Sequence, residues 1–231
     1  RCLTNYYESN ADQLNQELKE TELPRELHFI AFAGTQARIG TTTQALQYAG
    51  YLADCGEKVC YVEENEDGFP YCLFELYQYA VKEGDCITYA GIPMYEKKSM
   101  QELLKMDYEY FILDMGSIDQ EKFAGQLFFD ERVQRVIVAG VKPQEWVCTK
   151  YVRSTALCKD AAYIISFASD ADVEAVSGAF SKMPLFAGYI PDMFARDQGD
   201  LALGYNKLFS EKKTYRKEKT KKNKNRGRRS L

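Results

Sequence analysis

Two glycines with five residues between them, followed by three hydroxyl side chains, are the strongest chemical signal in this chain. Gly34 closes an apolar run, and Gly40-Thr41-Thr42-Thr43 opens a helical pattern. A turn of this kind between a strand and a helix collects unpaired backbone N–H groups at the positive end of a helix dipole. That arrangement favours a phosphate. Loops of this spacing ordinarily carry a lysine after the second glycine. Here Thr41 stands in that place, and Arg38 is the one cation inside the loop. Two carboxylates, Glu63 and Asp114, end later apolar runs and are the candidates for holding a metal or orienting a water. The predicted set is Gly34, Arg38, Gly40, Thr41, Thr42 and Thr43 for the ligand, Asp114 and Glu63 for catalysis, and Thr42 with Asp114 for a metal. Thr41 to Thr43 are expected to cap the helix that follows.

Elements that bring these residues together can be read from the apolar pattern. Strands are predicted at 28–33, 58–63, 109–114, 134–139, 162–167 and 185–190. Helices are predicted near 42–55, 70–83, 99–106, 119–129, 144–158, 171–181 and 199–209. Several strands are nearly continuous apolar runs, as buried parallel strands are. The alternation implies right-handed crossovers and a three-layer, doubly wound α/β fold with a mainly parallel sheet. Gly34, Glu63 and Asp114 then fall at carboxyl ends of strands, where open sheets bind ligands. Residues 86–95 suggest a hairpin or edge strand. The aromatic run Phe69–Tyr79 admits a partner-binding helix, although an amphipathic core helix is the stronger expectation.

The ordered set of motifs resembles the MinD/ParA class of P-loop ATPases, whose loop reads KGGVGKTT. Gln36-Ala37-Arg38-Ile39-Gly40-Thr41-Thr42-Thr43 takes those places, so both lysines are replaced, by Gln36 and Thr41. Lys58–Glu63 resembles the class's second strand, and Tyr110–Gly116 its Walker B strand. The likeness spans roughly residues 28–210. It implies a P-loop NTPase-like fold and binding of ATP with Mg²⁺. It also implies face-to-face dimers in which the signature lysine crosses to the other subunit. Without the lysines, hydrolysis is expected to be weak or absent. The function implied is an ATP-binding regulatory or positioning protein, at most a weak ATPase. The alternative is a pseudo-ATPase scaffold or adaptor of a secretion, pilus or plasmid-type system that binds no nucleotide. A metabolic reading also exists, because amidoligases and dethiobiotin-synthase-like enzymes share the fold, but no substrate motif supports it. The segment Gly188-Tyr189-Ile190-Pro191-Asp192 loosely matches one that walls the base pocket in the class; a strand-end turn explains it equally well.

The 231 residues, 45% hydrophobic, suffice for one large domain over 27–210. Residues 1–26 read as a helix or linker with Leu14 and Leu18 on one face, and the opening Arg1 suggests a piece of a longer chain. Seven scattered cysteines without CxxC read as reduced thiols. A zinc site is not expected, since the lone His28 falls inside a strand. No apolar run is long enough to span a membrane. Residues 211–231 hold 11 Lys/Arg against two Glu; the rest then holds 30−11=19 basic and 34−2=32 acidic groups, so a +9 tail follows a −13 body. A disordered basic tail of this kind attracts an anionic surface, nucleic acid or acidic lipid. A homodimer, a protein partner and a cytoplasmic location peripheral to membrane or nucleoid complete the expectations.

Overall fold

The computed structural model describes residues 26–158, 160–180, 182–196, 201 and 203–206. Most of the predicted leading segment and the whole basic tail lie outside the described residues. Nine strands form one sheet: β1 (His28–Gly34), β2 (Val59–Glu63), β3 (Val81–Glu83), β4 (Cys86–Tyr89), β5 (Ile92–Tyr95), β6 (Tyr110–Ser117), β7 (Val133–Ala139), β8 (Ala162–Ser166) and β9 (Leu185–Ala187). Their order is β3-β4-β5-β2-β6-β1-β7-β8-β9. From β5 to β9 every pairing is parallel. The β3-β4-β5 meander adds an antiparallel edge.

Helices α1 (Thr41–Asp54), α2 (Phe69–Leu76), α3 (Met100–Leu103), α4 (Gly125–Phe128), α5 (Pro143–Ser154) and α6 (Asp170–Val176) connect the strands. Alternate residues of β1 feed two separate cores. Ile30 and Phe32 pack with Leu46, Tyr48, Leu52, Leu73, Phe194 and Tyr205, so α1, α2 and the C-terminal helical residues cover one face. Phe29, Ala31 and Ala33 pack with Leu103, Phe128 and Val152, so α3, α4 and α5 cover the other. Both faces of the central strands are thereby covered, which is why each carries a run of consecutive apolar residues. This is the three-layer, mainly parallel α/β arrangement read from the sequence.

The differences are local. Helix α2 stops at Leu76, not near residue 83, and Val81–Glu83 forms a strand. It buries only Pro70 and Leu73. Tyr71, Phe74, Leu76, Tyr77 and Tyr79 stay exposed, so the aromatic run is not the core helix expected. Only Gly125–Phe128 of the helix predicted at 119–129 is α-helical. His28 opens β1 and stacks on Tyr110 at a 4.5 Å centroid distance. Among the described residues no helix is long and apolar enough to cross a membrane. The described cysteines 55, 60, 72, 86, 148 and 158 are all free thiols.

Candidate functional site

Strand β1 runs between β6 and β7, so the loop after Gly34 starts in the middle of the sheet. Both neighbours hold its base: Ile118 N–H donates to Gly34 O at 2.9 Å, and Thr35 N–H donates to Val138 O at 2.9 Å. Glycine at 34 is a packing requirement. A Cβ there would lie 2.8 Å from Ile39 Cγ2 and would strike Thr41 Oγ1. Ile39, 2% exposed, fills the loop from inside and also reaches the backbone of Gly140 after β7. The loop is thus a tight, internally packed turn.

Gly40 has φ +94°, a conformation that costs glycine little. A side chain there would also meet the Phe167 ring at 2.9 Å. Gly40 is itself the N-cap of α1, and no side chain caps the helix. The expected threonine cap is therefore absent, because Thr41 already has helical geometry and turns its hydroxyl back towards Gly34. With no side-chain cap, the first N–H groups of α1 remain available for an anion.

Thr42 points the other way. Its hydroxyl donates to Asp114 Oδ2 at 2.6 Å, joining the start of α1 to β6. Tyr61, wholly buried on β2, donates its hydroxyl to the same oxygen at 2.8 Å. Gly116 N–H donates to Oδ1 at 3.0 Å. Asp114 has no exposed surface, and burial pushes its carboxyl above the usual range while these three donors pull it back. It does not sit at the strand end, as the sequence suggested. The register of β6 slips between Asp114 and Ser117, where Phe32 pairs with the first and Gly34 with the second. The slip places the carboxylate beside α1 while the strand continues past it.

Glu63 pairs in register with Asp114, so both predicted carboxylates do meet at one edge of the loop. Glu63 already has a structural task, since both its oxygens accept from Phe69 N–H, at 2.9 and 3.1 Å, and fix the start of α2. Glu64 is equally buried, and its Oε1 has no hydrogen-bond partner. Burial raises both carboxyls to about 7. Glu66, a few residues on, instead reaches out to Lys122 at 2.6 Å. Among the described residues no group of three or more His, Cys, Asp or Glu is placed to hold a metal. Any ion would rest on hydroxyl and carboxylate pairs such as Thr42 and Asp114, oxygen donors of the kind Mg²⁺ prefers.

The missing lysine has no obvious replacement. Arg38 is exposed, has φ +60° and makes no ion pair among the described residues. Lys142, beyond the end of β7, is engaged by Asp172 of α6. Sequence reasoning missed Tyr61, Ile39 and Phe167. Tyr61 is the one aromatic in β2, set between Cys60 and Val62, a signal for a buried hydroxyl with a task; Phe167 gave none.

No protein-family model matches this sequence, and no curated protein matches it. Solved structures do. A candidate plasmid partition protein from Borrelia burgdorferi B31, bound to AMPPNP, superposes with a TM-score of 0.54 at 11% identity, over 80% of this chain and 97% of that one. The MinD cell division protein of Aquifex aeolicus gives 0.50 at 14% identity, over 73% and 86%. The fold is that of the MinD/ParA-like P-loop ATPases. The signal recognition particle receptor FtsY of Elizabethkingia anophelis, in complex with GDP, shares it at a TM-score of 0.51 and 12% identity, over 82% of this chain and 65% of that one. Within this fold, the loop after β1, Asp114 on β6 and Glu63 on β2 stand together on adjacent strands in the middle of the sheet.

Proposed function

We propose that this chain is an ATP-binding regulatory or positioning protein whose hydrolysis is weak or absent. The observation that carries the reading is the Thr42–Asp114 hydrogen bond of 2.6 Å, which sets a hydroxyl and a carboxylate side by side at the uncapped start of α1. Phosphates would lie against the N–H groups of residues 40–43, held by Gly40 and by the tight packing at Gly34. Mg²⁺ would draw on Thr42 directly and on Asp114 through water, and would supply charge neutralisation for the phosphates. Arg38 is the one loop cation able to reach an anion. Glu63, tied to α2, would sense the site and not attack within it. Comparable folds with AMPPNP or GDP support the choice of ligand class.

Weak turnover follows from Gln36 and Thr41. Neither position supplies the lysine that would stabilise charge developing on a transferring phosphoryl group. The same replacement favours the second reading, a scaffold that keeps the fold without nucleotide. Titration calorimetry with ATP, with and without Mg²⁺, decides between them. Mg²⁺-dependent heat that disappears in Asp114→Asn supports the binding protein; no heat under either condition establishes the scaffold.

A further inference from the structure

An exposed apolar surface is formed by α2 and the residues that follow it into β3. Leu76 and Tyr79 are 79% and 80% exposed, and Tyr71, Phe74, Tyr77 and Val81 are also exposed. Six large apolar side chains within eleven residues of sequence exceed what scattered surface residues explain. The face already binds one cation. Lys82 Nζ sits 5.5 Å from the Tyr71 ring centroid and 5.9 Å from that of Phe74. Its surroundings are acidic: residues 66–85 hold five Asp/Glu and a single Lys.

We propose that this aromatic face is the docking surface for the chain's own basic segment, residues 211–231. That segment lies outside the described residues, and its charge is the complement of the face: 11 Lys/Arg against two Glu. Guanidinium and ammonium groups stack on Tyr and Phe rings, as Lys82 does here, and the acidic rim adds attraction over a Debye length. Chain length permits the contact. The Phe194 ring packs on Tyr89 at 4.8 Å and lies 6.5 Å from Tyr77, which brings the C-terminal part of the chain beside the face. Tyr215 lies ten positions beyond Tyr205, an extended reach of about 34 Å. Docking would cover exposed aromatic rings and hold the cations back from other anionic partners until one competes for them.

The test uses the full chain with Tyr215 replaced by the photo-crosslinker p-benzoylphenylalanine. Light- and heavy-isotope preparations are mixed before illumination. The expected result is crosslinking to residues 69–83 within one molecule. It should decline several-fold in about 0.5 M NaCl, where screening is short-ranged. It should decline equally when Phe74→Ser and Tyr79→Ser are introduced. Both positions are exposed, and an unchanged melting curve will verify that the fold survives. Crosslinks scattered elsewhere, or none, overturn the proposal. So do crosslinks that join light to heavy chains, which would assign the face to a second copy.

Discussion

Arg38 holds a left-handed conformation that costs a residue with a Cβ on the order of 1 kcal/mol. Strain of that size persists where the fold enforces it, and at a loop arginine it invites a functional test. Arg38→Gly is expected to raise or preserve stability in urea melts while lowering ATP affinity. Unchanged affinity would remove Arg38 from the site. The buried carboxylates offer a second test. Glu63 and Glu64 keep their protons to about pH 7 when folded and lose them near 4.5 when unfolded. The native state therefore binds more protons across that window, and stability should fall as pH rises from about 5 to 8. Glu64, with an unpartnered oxygen, should contribute most simply. Glu64→Gln is expected to flatten the slope and to stabilise the protein at pH 8 by about 1–3 kcal/mol. A pH slope identical to wild type would mean the carboxylate is solvated in the native state.

At the level of elements, the loop and its helix pose a sharper question. Thr41 faces inward to Gly34, and Ile39 closes the turn against β7, so the backbone keeps a phosphate-binding shape without its lysine. Thr41→Lys should then raise ATP affinity at least about tenfold, roughly the 1.4 kcal/mol of one charge-assisted contact. Calorimetry that shows no gain would mean that the loop is not built to use the cation. How far these elements could be read from sequence varied with the cause of each. The stretches Phe29–Ala33, Phe111–Leu113 and Val136–Ala139 are dry on both faces and carry no polar side chain. Gly34 and Gly40 were legible because close packing and a positive φ leave glycine few substitutes. Asp114 was legible as a residue, but its register slip was not. Such a slip depends on pairing with Phe32 and Gly34, some eighty residues earlier in the chain. Helix α2 misled because aromatic residues at helical spacing normally face a core, and here they face water. The burial of Glu64 was not legible, because an acidic residue beside other acidic residues gives no apolar signal.

For the molecule as a whole, the loop lacks the lysine at position 36 that the resembling class sends across a dimer interface. Gln36 cannot supply that charge, so a nucleotide has little to favour one oligomeric state over another. Multi-angle light scattering with and without Mg-ATP should report the same mass. A shift from monomer to dimer would restore a switching role and reopen the choice of cation. The sheet itself bears on how molecules meet. β3 and β9, its two outermost strands, are three residues long, and β3 carries Lys82 and Glu83. Borders this short expose few unpaired amides and carbonyls, too few to recruit another chain's strand. Crowding many copies together should thus yield discrete particles and not fibres. Among the described residues the backbone leaves almost no seam on which to grow, so ordered assembly through them must use side-chain surfaces.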